Sequence, residues 1–424
     1  MDRPAIASWC LYDWANSAFS TVIGTFIFSV YFAQAVYGDA TEGSVVWGYA
    51  IGGAGLAVAL AGPVLGAIAD QSGRRKPWIA GFTALCIVAT ALLYLVEPDR
   101  AFVFTAVALV VVATIAFEFG TIFYNASLQT VAPNTMLGRV SGWGWGVGYF
   151  GGLCCLGLAL VGLVQPEVPW FGFSTGAAEH IRATALLVAV WFGLFAIPYF
   201  FFVPDPPASD RTVRQLVVSG LDQLRRTVRD VRHFRPIVIF LIASALYRDG
   251  LATLFALGGL YAAGVYAMNI QEIMIFAIAL NVTAGFGAFA FAWLDDKVGS
   301  KETVLASLAG LVLFGLAILF VDDQTVFFWL ALGLGIFVGP AQAASRSLMA
   351  RLSPDEMETE MFGLYAMTGK SAAFLGPIFY AMATDFFGTQ RAGLATILAV
   401  WVLGGILLLF VSAPPSNAGS AASR

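Results

Sequence analysis

Charge is what this sequence has least of. Charged residues make up 11% of it and hydrophobic ones 59%, with a mean hydropathy of +0.82. A soluble globular chain carries about a quarter charged residues, so this one is built for lipid. Histidine is scarcer still: His180 and His233 are the only two, read as lying in a loop and a linker, which leaves histidine catalysis almost no material. Four cysteines, Cys10, Cys86, Cys154 and Cys155, all fall inside apolar runs without CxxC spacing. They make neither a disulfide frame nor a metal site and read as small packing residues. No cationic segment followed by a short apolar core opens the chain, so a removable signal peptide is not expected. A Walker loop, a Ser-His-Asp set and metal-ligand spacings are also missing, which argues against an enzyme and against a nucleotide-driven pump. The net charge of −4, with cations confined to loops, gives no case for nucleic acid.

What is present is a series of long apolar runs. A helix that crosses a bilayer needs about 20 mainly apolar residues. By that measure spans are expected near 9–36, 45–69, 78–96, 101–128, 139–164 and 183–203, then 236–263, 270–293, 302–321, 325–349, 361–384 and 391–412. The fold class is therefore an all-α multi-pass membrane protein of twelve helices. One set of loops holds Arg74, Arg75, Lys76, Arg139, Lys297, Lys301 and Arg351 together with an arginine-rich linker. The opposite loops hold mainly acids: Asp39, Glu42, Glu97, Asp99, Glu167, Glu179, Asp322 and Asp323. Basic loops stay cytoplasmic, so both termini are expected inside, in a plasma membrane.

The chain is organised around one loop and its weaker copy. Gly66-Ala67-Ile68-Ala69-Asp70-Gln71-Ser72-Gly73-Arg74-Arg75-Lys76 joins two apolar runs, and Asp295-Asp296-Lys297-Val298-Gly299-Ser300-Lys301 repeats its acid-to-glycine step 226 residues later (296 − 70 = 299 − 73). Pro133/Pro354, Gly142/Gly363 and Gly148/Gly369 share an offset of 221 (354 − 133), and Tyr12/Tyr247 and Tyr31/Tyr266 one of 235 (247 − 12). Two related six-helix bundles are the expectation, 1–203 and 236–413, a plan common among transporters with the site at the interface of the halves. In the linker, 204–235, Val213, Leu216, Val217, Leu221, Leu224, Val228 and Val231 recur at helical spacing among arginines, with Asp210 placed to cap them. That pattern predicts a helix along the cytoplasmic lipid surface. The tail 414–424 is Ser/Ala/Gly-rich and expected to be disordered.

Lipid does not tolerate charge: one near the bilayer centre costs at least about 2.5–3.5 kcal/mol. Asp13, Asn16, Ser17 and Ser20 form one stripe on the first helix, and Thr114, Glu118, Thr121, Asn125 and Gln129 a longer one on the fourth. Gln342 and Arg346 sit four apart on the tenth, Arg248 and Asp249 on the seventh about 100° apart, and Lys370 on the eleventh. Pairing among themselves to lock helices is one reading of these residues, and snorkelling to the interface serves Arg346 equally well. A substrate and coupling site is the other. It is favoured by grouping, because the stripes fall on helices 1 and 4 and the charge recurs at their counterparts 7 and 10. The glycines Gly55, Gly62 and Gly66, and Gly142, Gly144, Gly146, Gly148, Gly151 and Gly152, read as close-packing faces.

At Gly66–Lys76 the sequence resembles the Major Facilitator Superfamily signature, with Gln71 where a cation is usual. That resemblance implies a gating motif of Gly66, Asp70, Gly73, Arg74 and Arg75, with Asp296 and Gly299 in the copy, latching the halves on the cytoplasmic side. Leu11-Tyr12-Asp13-Trp14-Ala15-Asn16-Ser17-Ala18-Phe19, Leu246-Tyr247-Arg248-Asp249-Gly250 and Gly369-Lys370-Ser371-Ala372-Ala373-Phe374-Leu375-Gly376-Pro377 are similar to segments of the autophagy-type vacuole effluxer family. This implies efflux of small solutes, amino acids in the fungal members. The fourth helix lacks the arginine of proton-coupled antiporters, and Gly148-Tyr149-Phe150-Gly151-Gly152 lacks the Gly-Pro of the drug-antiporter motif.

The expected activity is secondary transport of a small polar or zwitterionic solute by alternating access. Arg248 or Lys370 would meet a carboxylate, and Asp13, Glu118 or Asp249 an ammonium. No cofactor is expected beyond a proton or ion gradient, with Glu118 the first choice for proton coupling. The expected partners are a small-molecule substrate and the bilayer, the chain acting as a monomer. Two readings stay open: a lipid or amphiphile transporter of the same fold, and a membrane receptor that binds without moving its ligand.

Overall fold

A computed structural model describes residues 2–207, 209, 211–229, 234–268 and 270–412. Asp210, expected as the cap, together with Val231, His233 and the tail 414–424, lies outside the described residues. Among the described residues, eleven helices are long and apolar enough to cross a membrane: Arg3–Val36, Glu42–Ser72, Lys76–Leu95, Arg100–Val131, Asn134–Val164 and Gly176–Phe202 (spans 1–6), then Arg235–Tyr266, Glu272–Val298, Ser300–Leu319, Gln324–Leu352 and Gln390–Leu409 (spans 7–10 and 12). Span 11 is the twelfth and is broken into Glu358–Ala372 and Leu375–Phe387. Part of the reason is local: Pro377 has no amide for the carbonyl of Ala373, and its ring crowds that carbonyl. The twelve-helix expectation stands, with one helix in two pieces.

The two sets of six pack against each other along two seams. Span 2 lies on the first half of span 11, and span 5 on span 8. The glycine faces make both seams. A methyl added at Gly66 would stand 2.5 Å from the carbonyl oxygen of Thr359, and one at Gly363 2.6 Å from that of Gly62. Span 5 uses both its sides, Gly142 and Gly146 against Ala288, Ala292 and Phe289 of span 8, and Gly144, Gly148 and Gly151 against Trp9, Asp13 and Trp14 of span 1. Small residues let backbones approach where lipid supplies no hydrophobic drive. The repeat is visible in hydrogen bonds too. Tyr31 donates to Val96 O at 2.8 Å beyond span 3, and Tyr266 to Val321 O at 3.0 Å beyond span 9.

Span 1 is not a plain α-helix. It is α-helical over Arg3–Ala18 and π-helical over Phe19–Phe26 and Phe32–Val36. The wider turn carries Ser20, Thr21 and Thr25 to a cavity wall, while Asn16 is buried and lines neither of the two cavities described below. The linker forms the helix Val213–Arg229, whose inner face lies on span 2. A methyl at Gly220 would stand 2.9 Å from the backbone of Ile68, and Gln223 bonds both Gln71 of span 2 and Glu360 of span 11. Arg214, Val218, Leu221, Arg225 and Arg226 are exposed on its outer side.

Candidate functional site

The site is a two-level chamber between the halves, closed toward the basic loops. Its floor is the latch. Asp70 at the end of span 2 accepts from the amides of Thr359 (3.1 Å) and Glu360 (2.8 Å), the first turn of span 11 in the other half. Asp296 at the end of span 8 does the same for span 5, accepting from the amides of Gly138 (2.8 Å) and Arg139 (3.1 Å). Each repeated aspartate thus supplies the missing acceptor for orphan amides at a helix start across the seam. Arginines tie the corners. Arg75 reaches Glu358 at 2.7 Å and Asp70 at 3.5 Å; Arg139 reaches Asp296 at 2.6 Å; Arg351 reaches Asp296 at 3.1 Å and Asp295 at 3.4 Å. Gly73 turns the loop at φ +75°, close against the carbonyl of Pro207, and Gly299 makes the matching turn at φ +124°. Arg74 is exposed and outside this network. Asp295, Glu358 and Asp205, whose carboxylate accepts from the Arg75 amide at 2.9 Å, carry part of the latch that the sequence pattern left unassigned.

Above the latch sits a plug. Arg346 of span 10 is 4% exposed and does not snorkel. Its Nη1 meets Asp13 of span 1 at 2.8 Å and the Asn125 side-chain oxygen at 3.3 Å, while Nε and Nη2 bond Ser141 of span 5. The guanidinium lies over the ring of Trp9 at 4.6 Å, with Trp145 at 5.6 Å and Tyr124 at 5.9 Å. Asp13 and Arg346 satisfy each other across the halves, so both are committed in this state.

The lower level is a cavity of about 270 Å³ lined by Glu118, Thr121, Asn125, Arg248, Asp249, Gln342 and Lys370 among others. Seven residues expected at the site from sequence meet here. Lys370 pairs with Glu118 at 2.6 Å across the halves. Arg248 has no carboxylate partner among the described residues; its guanidinium stacks on the Tyr365 ring at 4.1 Å, and Nη1 reaches the Tyr365 carbonyl at 3.4 Å. Asp249 is 2% exposed and turned toward Gly376 of span 11, the divergence that a 100° step demands. Gln342 donates to the Tyr149 hydroxyl at 2.9 Å. Thr121 is turned to its own helix, donating to Phe117 O at 2.9 Å. Tyr149, Tyr365 and Trp145 were not foreseen, because aromatic residues in apolar runs carry no signal of their own.

The upper level is a larger cavity of about 520 Å³, walled by Ser17, Ser20, Thr21, Thr25, Trp145, Tyr149 and Asn281, on the side away from the basic loops. Phe255 and Gln342 line both levels. Ser17 and Ser20 donate to carbonyls one turn back, Asp13 O at 2.7 Å and Ser17 O at 3.1 Å, which leaves their lone pairs toward the cavity. Among the described residues no group of three or more metal-ligating side chains is found.

Comparison with known proteins agrees with this geometry. A family model described as vacuole effluxer Atg22 like matches residues 1–418. An uncharacterized MFS-type transporter of Bacillus subtilis (strain 168), YxiO, is 27% identical over 415 residues, 95% of this chain and 94% of its own. Autophagy-related protein 22-1 of Emericella nidulans is 26% identical over 293 residues, 63% of this chain and 48% of its own, so the match spans about half of that relative. Among solved structures, the outward conformation of the Major Facilitator Superfamily transporter FucP superposes with a TM-score of 0.75 at 13% identity, over 97% of this chain and all of the other. The human organic anion transporter MFSD10 does so at 0.70 and 15%, over 96% and 99%. Identities this low speak for the fold alone.

Proposed function

The chain belongs to the vacuole effluxer Atg22-like family of Major Facilitator Superfamily transporters, and on that premise we propose that it moves a small zwitterionic, amino-acid-like solute outward by alternating access. It is a multi-pass membrane protein and a secondary transporter, not an enzyme. The observation that carries the substrate class is Arg248. A guanidinium held on an aromatic face at the chamber's lower level, without a carboxylate partner, is suited to bidentate capture of a substrate carboxylate. Glu118 lies in the same cavity, neutralised by Lys370 only while the chamber is empty of an ammonium. A zwitterion would satisfy Arg248 with one end and compete for Glu118 with the other.

In this reading the bundles 1–203 and 236–413 rock about the chamber, and the linker 204–235 follows the latch. Since basic loops stay cytoplasmic, the latched face is the cytoplasmic one of a bacterial inner membrane and the hollow faces outward. The family description supports efflux, and a proton gradient is the proposed drive. Ligand screening by thermal shift on purified protein tests the substrate class. Neutral amino acids should stabilise the wild type and leave Arg248→Ala unmoved. Stabilisation by lysophospholipids alone would point to the amphiphile reading instead.

A further inference from the structure

Asp249 stands apart from the other carboxylates of the spans. Asp13 meets Arg346, Glu118 meets Lys370, and Asp70 accepts from two amides. Asp249 is 2% exposed, and among the described residues neither carboxylate oxygen makes a well-formed hydrogen bond, the Gly376 amide acting on it only weakly. Its neighbours explain why. Across from it is Gly376, so close that a methyl there would stand 2.9 Å from Oδ2. Thr253, one turn along, gives its hydroxyl to the Asp249 carbonyl at 2.8 Å. Span 12 contributes Trp401, lying beside Gly250 with its indole nitrogen unpartnered. The charged groups nearest along the chain and in the cavity are turned elsewhere, Arg248 to Tyr365 and Lys370 to Glu118.

A poorly compensated carboxylate in such a place costs several kcal/mol to keep ionised, a cost that binding a proton relieves. A hard metal cation would ask for about six oxygen ligands, whereas the groups named beside Asp249 are one hydroxyl, a glycine and an indole. Asp249 nevertheless borders the lower cavity, so a water-borne proton can reach it.

Gly376 belongs to the first turn of the second half of span 11, where amides lack intrahelical acceptors and the helix end is partly positive. Prolines 63, 198 and 340 all sit inside unbroken helices, so proline alone does not break span 11 at Pro377. What differs there is a carboxyl group facing the new helix start. An ionised Asp249 attracts that start; a neutral one releases it. Lys370 is two residues from the end of the first half, and its partner Glu118 is in the other bundle. We propose that Asp249 is a proton-binding site of the transport cycle, whose charge is read by the break in span 11 and passed along the first half of that span to its seam with span 2 of the other half. This rests on the transporter reading above, and it moves the coupling role from Glu118, which is already neutralised, to Asp249.

The test is a distance measurement on the purified full chain in lipid nanodiscs. Spin labels replace Val168 and Phe320, exposed residues of the loops between spans 5 and 6 and between spans 9 and 10, with the native cysteines removed. Open and closed populations are read by pulsed dipolar spectroscopy from pH 5 to 8.5. A single linked proton changes their ratio by up to about tenfold per pH unit. Wild type and Glu118→Gln should show that dependence, Asp249→Asn should lose it, and Asp249→Glu should keep it with a displaced midpoint. The Glu variant retains a titrating group, so it answers the question even where the Asn variant does not fold. A wild-type profile in Asp249→Asn, a flat wild type, or populations that follow sodium at fixed pH would each overturn the proposal. The readout needs no flux. A pH response without solute counterflow would sink the transporter reading and leave the proton site standing; counterflow without a pH response would do the reverse.

Discussion

Replacing Asp70 by alanine should spring the latched face open. In the closed state its carboxylate accepts from the Thr359 and Glu360 amides at 3.1 and 2.8 Å. On opening, water replaces both bonds, so their net worth applies, about 1.5 kcal/mol or more each for bonds to a charged acceptor. Arg75 keeps Glu358 at 2.7 Å, and its ion pair with Asp70 need not be counted. The closed state therefore loses at least about 3 kcal/mol relative to the open one, roughly 140-fold or more in their ratio at 1.4 kcal/mol per tenfold. Spin labels at Arg74 and Lys297, both exposed side chains on that face and in different halves, would report it as a shift to long distances. Asp296→Ala should do the same, since it removes the matching pair of bonds to Gly138 and Arg139. Unchanged distance distributions in both variants would refute the capping account of the latch.

Other consequences follow from the same contacts. Asp13→Ala should cost about 3–5 kcal/mol of stability because it strands a buried guanidinium, and Asp13→Ala with Arg346→Met should recover most of it in thermal unfolding. A double-mutant cycle on Glu118 and Lys370, whose side chains are 21% and 33% exposed, should give only about 0.5–1 kcal/mol of coupling; a value near that of the Asp13 pair would mean the bridge is structural. Gly142→Val places a side chain where a methyl already stands 2.6 Å from Ala292, and should favour the open latch in the same distance assay.

Much of this fold was legible because lipid makes its demands in composition. Twelve apolar runs, two copies of one loop and glycine faces at helical spacing each state their purpose locally. The break in span 11 was less visible, since three other prolines sit in continuous helices and Asp249, which faces the break, is 127 residues upstream (376 − 249). The chamber was legible by residue type: Glu118, Arg248, Gln342 and Lys370 do meet. Who pairs with whom was not. Asp13 with Arg346 and Glu118 with Lys370 are contacts between halves, set by how two bundles dock. The stripe on span 1 was legible in part: Ser17 and Ser20 reach the wall, whereas Asn16, within the regular helical stretch Arg3–Ala18, is buried.

The most direct test of the central claim is counterflow of a radiolabelled neutral amino acid in liposomes holding the purified chain. The account predicts saturable uptake driven by unlabelled solute inside, lost in Arg248→Ala and retained in Arg74→Ala. Tight binding of the amino acid with no counterflow, or transfer of labelled lipid in its place, would contradict it.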